Sequence, residues 1–247
     1  MSHLHLVDGA VPFLWWILGY ILTIGILMFA VTKIKKEELS KKIPFVGVIS
    51  ALMLITMSVP LGFLPFHLNL TVLVGILGGP WIGFVAVFIV NLILAMIGHG
   101  GITVVGLNTL VIGTEVIAGY FIFKAIIKHI KPITAAAVAV VITLLISTTL
   151  MASIVMLTNT GLEYALPHSE EVHESEHDVH DELHEHEELE EQLADIHIFV
   201  LSGWGAVIAI LLTGIVLEAL VTSLIIGFFM KVRPEMIIGN AELRMQN

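Results

Sequence analysis

The chain has 247 residues, of which 57% are hydrophobic and 13% charged, and its mean hydropathy is +0.99. A soluble core of this size does not need so much apolar surface, so the composition indicates an integral membrane protein. Cysteine is absent, which excludes disulfides, thiolate metal sites and thiol catalysis. The formal charge of −10 misleads, because 13 of the 21 acidic residues lie between Glu170 and Asp195.

The first five residues, Met1-Ser2-His3-Leu4-His5, place two imidazoles beside the chain's own α-amine. An amine, a deprotonated amide and a His Nδ1 from adjacent residues close small chelate rings in one plane. That geometry suits the tetragonal preference of Ni(II) or Cu(II). The sequence therefore predicts a metal-chelating terminus.

Seven apolar segments follow, and they predict one polytopic all-α domain over residues 1–247. They are Val11 to Thr32, Pro44 to Leu64, Leu68 to Gly78, Pro80 to Ile97, Ile102 to Phe123, Ile133 to Leu157 and Phe199 to Met230. The third is short for a membrane crossing, so Leu68 to Ile97 could instead form one helix kinked at Gly78-Gly79-Pro80. The bundle then has six or seven transmembrane helices.

The basic residues favour seven crossings with the N-terminus outside and the C-terminus in the cytoplasm. In that topology all three basic groups are cytoplasmic, whereas six crossings would expel one of them. The groups are Lys33 to Lys42, Lys124 to Lys131, and Lys231 with Arg233. A third segment that does not cross fully is expected to be buried against protein.

A His-rich and acidic insert at about 160–197 is predicted to be an extracytoplasmic loop. Its members His173, His177, His180 and His184 are spaced so that an induced helix would align them, and weak capture of divalent cations is one interpretation. A solvated acidic segment without fixed structure is the other. The HExxH pattern at His173 to His177 is typical of zinc proteases, but chance accounts for it in so biased a run.

Several polar residues interrupt the apolar segments. His67 stands at a break between two of them and is predicted to be a metal ligand. Asn108 is the best candidate for bracing the site, and Asn69 also needs an internal hydrogen bond. Glu115 and Glu218 lie inside apolar helices, where a carboxylate must be paired, protonated or facing water.

Four stretches outside the insert resemble one known family. They are His5-Leu6-Val7-Asp8-Gly9; His67 with the run through Leu77-Gly78-Gly79-Pro80-Trp81; Gly98-His99-Gly100-Gly101-Ile102-Thr103 with Gly106-Leu107-Asn108; and Glu218 to Thr222 with Val232 to Glu235. In this order they are similar to CbiM and NikM, the substrate-binding components of energy-coupling factor (ECF) importers of cobalt and nickel. The resemblance implies an inward-folded N-terminus and work with a transmembrane coupling protein and two ABC-type ATPases in a prokaryotic cell membrane.

The resemblance also implies the ligands: the terminal amine, the amide and imidazole of a second-position His, and His67. Here Ser2, His3 and Leu4 precede the matching His5. If Met1 is removed, Ser2 becomes the terminus, His3 takes second position and His67 is the fourth donor. If Met1 stays, His3 can complete the plane without His67, and His5 becomes an axial or supporting group. His99 stands where the family often has Asp, and it is either an entry ligand or a surface residue.

The sequence hypothesis is therefore an ECF component that imports Ni(II) or Co(II), with no organic cofactor, no catalysis of its own and no nucleic-acid partner. Its contacts would be membrane lipid, the coupling protein and the ATPases that supply the energy. The first alternative is a stand-alone secondary transporter of divalent metals, which would need metal ligands at the membrane midplane. The second is an intramembrane zinc protease.

Overall fold

The computed structural model of the protein describes residues 6, 8–9, 11–34, 36–58, 67–163 and 185–237. Over these residues the regular structure is entirely helical, and no β-strand is present. The helices are α1 (Phe13–Lys33), α2 (Lys36–Ser58), α3 (Thr71–Gly78), α4 (Pro80–Met96), α5 (Val105–Ile126), α6 (Pro132–Glu163) and α7 (Glu185–Val232), with a short 3-10 helix at Pro234–Met236. The predicted all-α fold is confirmed.

The protein is a multi-pass membrane protein, as its composition predicts. Four helical segments are long and apolar enough to cross a bilayer, namely Phe13–Lys33, Val105–Ile126, Pro132–Thr158 and Ile208–Val232. Lys42–Ser58 and Pro80–Met96 are shorter apolar helices. Large apolar side chains cover the outside of the bundle, for example Leu14 (76% exposed) and Val48 (71% exposed). Hydrocarbon, which forms no hydrogen bonds, is the environment that suits such a surface.

The third and fourth segments form two helices that meet at a sharp break. Gly79 joins them with φ 86° and ψ 167°, and Pro80 begins α4. The positive φ favours glycine, and proline cannot continue α3 because it lacks the amide hydrogen. All eight residues of α3 are buried. The short segment is thus enclosed by protein, as its length requires.

Several helix boundaries differ from the sequence prediction, among them the starts of three helices. Helix α2 begins at Lys36 and includes Pro44, eight residues before its expected start. Helix α5 begins at Val105, three residues after its expected start, and the amides of Ile102 and Thr103 before it bond to Asp8. Helix α7 begins at Glu185, so the second half of the expected loop insert is helical and continuous with the membrane helix. Glu, Leu, Gln and Ala dominate that stretch, and all are good helix formers.

Helices α1 and α5 run in the same direction and pack closely. The Tyr20 hydroxyl donates to the Ile102 carbonyl, and the Thr23 hydroxyl donates to the Gly106 carbonyl at 2.8 Å. A Cβ atom on Gly106 would lie 2.6 Å from the backbone nitrogen of Tyr20, so only glycine permits this approach. Both helices therefore start at the same end of the bundle.

The two ends of the bundle differ in chemistry. Leu6, Asp8 and the turn between α4 and α5 lie at one end, which we call the N-terminal end. Lysines occupy the last turns of α1, α5 and α7 at the opposite, basic end. This arrangement agrees with the distribution of charge on which the predicted topology rests.

Candidate metal-binding site

The chain just after its first five residues is held in the bundle by Asn108, in the first turn of α5. The Leu6 amide donates to Asn108 Oδ1 at 3.0 Å, and Asn108 Nδ2 donates to the Leu6 carbonyl at 3.1 Å. The Gly101 amide donates to the same carbonyl at 3.3 Å. Leu6 and Asn108 are both buried. The Asn108 amide thus pairs with both backbone groups of Leu6, as a neighbouring β-strand would, because it offers one donor and one acceptor side by side.

Asp8 fixes the next turn of the chain. Its carboxylate accepts hydrogen bonds from the Ile102 amide at 3.2 Å, the Thr103 amide at 2.9 Å and the Thr103 hydroxyl at 2.6 Å. The Thr103 hydroxyl, followed by the Thr103 amide, lowers the pKa of the Asp8 carboxyl. Since the folded pKa is depressed, this anchor persists at all pH values above the usual carboxyl range. It is lost only as the pH falls through the lowered pKa.

Glycine is required where Asp8 meets the turn. A Cβ atom on Gly101 would lie 2.4 Å from the Asp8 backbone nitrogen, which is closer than van der Waals contact allows. The neighbouring Gly98 and Gly100 have φ values of 86° and 105°. These glycines let the turn fold back so that its amides face the N-terminal segment.

Two imidazoles meet beside this anchor. The rings of His67 and His99 stand edge to face, with centroids 5.2 Å apart and an interplanar angle of 83°. The His99 amide donates to the Leu94 carbonyl at 2.8 Å, which fixes the backbone of the turn. Both side chains are half-buried. The two residues come from segments 32 positions apart, and each imidazole nitrogen is a potential metal ligand.

The histidine pair and the N-terminal anchor lie at the same end of the bundle. A Cβ atom on Gly100, the residue after His99, would lie 3.9 Å from the Leu6 carbonyl oxygen and 3.9 Å from Asn108 Nδ2. The chain entering at Leu6 therefore passes close to the turn that carries His99. Whatever precedes Leu6 starts from this position.

The predicted site residues divide into three groups. The structure brings His67 and His99 together and shows Asn108 bonded to the backbone of Leu6, while its role in bracing a metal site stays a prediction. Asn69 forms its hydrogen bond with Glu115, deeper in the bundle than His67, His99 and Asn108. The remaining predicted site residues lie outside the described part of the chain. They are Ser2, His3 and His5 at the terminus and His173, His177, His180 and His184 in the insert.

The roles of Asp8, Gly101 and Thr103 were not predicted from the sequence. Asp8 and Thr103 are 95 residues apart, so no local spacing pairs them. A signal was present, because an Asp-Gly pair before an apolar helix and a Gly-rich turn that ends in Thr both need partners for their polar groups. Among the described residues, no group of three or more His, Cys, Asp or Glu side chains is placed to hold a metal.

A second polar cluster lies inside the bundle. Asn69 Nδ2 donates to Glu115 Oε2 at 2.6 Å, and the Asn69 amide approaches Glu218 Oε2 at 3.5 Å. The Ser147 hydroxyl donates to the other oxygen of Glu115. Asn69, Glu115 and Glu218 are all 0% exposed. We call Asn69, Glu115, Ser147 and Glu218 the inner cluster. It joins α5, α6 and α7 to the segment before α3.

Comparisons with known proteins support a metal transport role for this architecture. The family model for the cobalt uptake substrate-specific transmembrane region, CbiM, matches residues 5–236. A proposed metal transport protein of Methanocaldococcus jannaschii is 26% identical over 141 residues, which are 55% of this chain but only 63% of that relative. A crystal structure of a transition metal transporter shares the fold, with a TM-score of 0.64 at 17% identity, covering 99% of this chain and 100% of the other.

Proposed function

The chain belongs to the CbiM family of cobalt uptake substrate-specific transmembrane regions, and we propose that it is the metal-binding membrane component of an ECF importer for Ni(II) or Co(II). In this proposal the ion binds at the N-terminal end of the bundle, outside a prokaryotic inner membrane. The ion is then moved inward by a transmembrane coupling protein and two ABC ATPase subunits. The ATPase subunits hydrolyse the ATP that supplies the energy. The single observation that carries the proposal is the pairing of His67 with His99 beside the anchored Leu6.

The binding chemistry follows from the reach of the terminus. Ser2 lies four positions before Leu6, and an extended chain covers at most about 14 Å over that length. Leu6 in turn bonds to Gly101, two residues from His99. The amine and amide nitrogens of the terminus, with the imidazoles of His3 and His67, can therefore share one ion. Nitrogen donors of this type suit both Ni(II) and Co(II), and a planar set favours nickel.

His99 gains support as a ligand from its contact with His67. With Met1 removed, the set is Ser2, His3 and His67, and His99 is an entry or axial donor. With Met1 retained, the terminus fills the plane alone, and His5, His67 and His99 compete for the axial positions. The mass of the intact protein therefore decides which set applies.

The test is a calorimetric titration of the full chain in lipid nanodiscs with Ni(II) and, separately, Co(II). We expect His67→Ala to weaken the tightest site at least tenfold, because it removes one of four donors. His129→Ala, an exposed histidine at the basic end, is the matched control and should leave the affinity unchanged. Intact mass spectrometry identifies the first residue of the same sample.

The proposal is wrong if a chain beginning at Ser2 binds both metals equally well with and without His67. It is equally wrong if acetylation of the terminal amine leaves the affinity of that site unchanged. The two metals titrated side by side give the preference between nickel and cobalt.

The coupling protein is proposed to contact α2 within the bilayer. Small residues let helices approach closely, and the sequence offers such spacing at Gly47 and Ala51 and again at Ala135 and Ala139. Gly47 and Ala51 are exposed on α2, and no atom lies within 4 Å of a Cβ atom placed on Gly47. Ala135 and Ala139 are 0% exposed inside the bundle. The α6 pair packs the protein itself, so only the α2 pair remains.

One observation favours the second candidate, a stand-alone secondary transporter. Such a carrier needs polar groups near the membrane midplane, and the buried Glu115 and Glu218 supply them. Purification of the complex separates the two: an ECF component retains ATPase subunits and loses uptake when ATP is depleted. A secondary carrier reconstituted alone would still transport metal. The HExxH pattern lies outside the described residues, and nothing else supports a protease.

A further inference from the structure

The inner cluster lies near the middle of the membrane-spanning helices. Glu115 is about 15 Å from either end of α5, by the rise of 1.5 Å per residue. Glu218 is about 15 Å from the start of the apolar span Ile208–Val232. Ser147 also falls in the central part of Pro132–Thr158. Two carboxylates at this depth are costly in a membrane protein, and ionisable residues inside the membrane mark ion pathways and proton relays.

Three buried oxygen atoms of Asn69 itself and of two residues within four positions of Asn69 or Glu218 have no hydrogen-bond partner in the described part of the chain. They are Asn69 Oδ1, Thr71 Oγ1 and Thr222 Oγ1, and all three residues are 0% exposed. Asn69 Oδ1 belongs to the same planar amide whose Nδ2 bonds to Glu115, so it lies at the carboxylate. Thr222 is one helical turn from Glu218 and on the same side of α7. Buried polar atoms of this kind call for an explanation, and a bound ion is one.

The donor set suits a divalent cation. Two carboxylates balance its charge, while amide and hydroxyl oxygens can complete its coordination. Oxygen donors hold Ni(II) and Co(II) less tightly than nitrogen donors of similar number. A site on a transport path must be favourable enough to enter and weak enough to leave, and the oxygen set satisfies both conditions.

The inner cluster also lies deeper in the bundle than the histidine pair. Asn69 follows His67 by two residues. Along α5, Glu115 lies two helical turns, about 10 Å, beyond Asn108, which anchors the terminus. We propose that Glu115, Glu218 and Asn69 form a second, internal metal site, which the transported Ni(II) or Co(II) occupies after leaving the N-terminal site. This inference rests on the proposed function and extends it to the path of the ion.

The experiment counts bound ions at equilibrium. The full chain in lipid nanodiscs is dialysed against radioactive Co(II), using a background in which the seven histidines from His168 to His197 are replaced by Gln to silence the insert. We expect two ions per chain, the second bound at least tenfold more weakly than the first. Adding Glu115→Gln and Glu218→Gln together should remove the second ion and leave the affinity for the first within about threefold.

Two controls separate metal binding from a structural role. Ser147→Ala removes a hydrogen bond to Glu115 but no carboxylate, so the second ion should remain. Glu235→Gln makes the same chemical change at an exposed position beyond α7 and should have no effect. Thermal melting of each variant verifies that the bundle is folded.

The outcomes distinguish this inference from the function on which it rests. His67→Ala in the same background should remove the tight ion, and retention of that ion contradicts the N-terminal site alone. The internal site is refuted if the background binds a single ion or if the double Gln variant keeps the second one. It is also refuted if the double Gln variant loses both ions, which would mean that the carboxylates only brace the outer site.

Discussion

The side chain of Asn108 holds the backbone of Leu6 against the membrane bundle. Its amide group forms two hydrogen bonds with the backbone of Leu6, and the same carbonyl receives the Gly101 amide. Carboxylates offer only acceptors when ionised, and hydroxyls span too short a distance to bond both groups. The amide of Asn or Gln carries a donor and an acceptor side by side at every ordinary pH, and Asn is the shorter of the two.

Asn108→Ala is therefore expected to loosen the terminus and weaken metal binding. Two neutral hydrogen bonds are lost, each worth about 1 kcal/mol, so the affinity for Ni(II) should fall about 30-fold. Calorimetry on the full chain measures this change. Asn91→Ala is the matched control, since Asn91 Nδ2 bonds to Thr109 Oγ1, at 3.3 Å, and in the described part of the chain it does not contact Leu6. If both variants lose affinity equally, Asn108 acts through general stability and not through the terminus.

Single residues with unusual chemistry were predictable from the sequence, whereas their partners were not. His67 and Asn108 attract attention because a polar group in an apolar run must be satisfied internally. The contact of His67 with His99 depends on how the segment before α3 meets the turn after α4. That geometry is tertiary, so His99 could be interpreted from the sequence as a surface residue or as an entry ligand.

At the scale of the element, α3 is the least ordinary part of the bundle. It is eight residues long, entirely buried, and packed against α2, α4 and α5. A Cβ atom on Gly75 would lie 2.6 Å from the Val116 carbonyl oxygen, and one on Gly119 would lie 2.9 Å from Val72 Cγ1. Helices α3 and α5 thus touch through glycines, and this contact holds the segment that carries Asn69 close to Glu115.

Gly75→Ala should destabilise the protein because the new methyl group cannot fit against the backbone of α5. Overpacking of this kind typically costs about 1–3 kcal/mol. A lower midpoint in thermal melting of the detergent-solubilised chain would show it. Gly25→Ala on the exposed side of α1 meets no atom within 4 Å and should be neutral or slightly stabilising. Equal melting midpoints for the two variants would mean that α3 can shift away from α5 without cost.

Helix ends illustrate what sequence patterns cannot determine. The break at Gly79 could be anticipated from the Gly-Gly-Pro run, and the choice between a kink and two helices is settled by the backbone of Gly79. The early start of α2 was not foreseen, because Pro44 reads as a natural first residue and here lies inside the helix. The turn before α5 bonds to Asp8 through the amides of Ile102 and Thr103, a contact that no local pattern predicts.

At the scale of the whole molecule, the two ends and the side of the bundle carry different kinds of side chain. The N-terminal end carries the histidine pair, the basic end carries the lysines, and the inner cluster lies between them. The side of the bundle exposes large apolar side chains, which suit lipid, and it is where the proposed coupling protein would bind. On α2 the small residues Gly47 and Ala51 leave a shallow apolar surface beside the partly buried Ser50. A partner helix can approach closely there, because few atoms project from it.

Replacing Gly47 and Ala51 together by Leu should separate coupling from metal binding. The new side chains point away from the core, so the fold and the affinity for Ni(II) should stay within error of the wild type. Uptake by cells that carry the complete importer should fall at least tenfold, and the ATPase subunits should no longer co-purify. Gly25→Leu, which adds the same bulk to the exposed side of α1, is the control and should leave uptake intact. If uptake survives the double substitution, or if Gly25→Leu abolishes it equally, the coupling protein does not bind α2 at this surface.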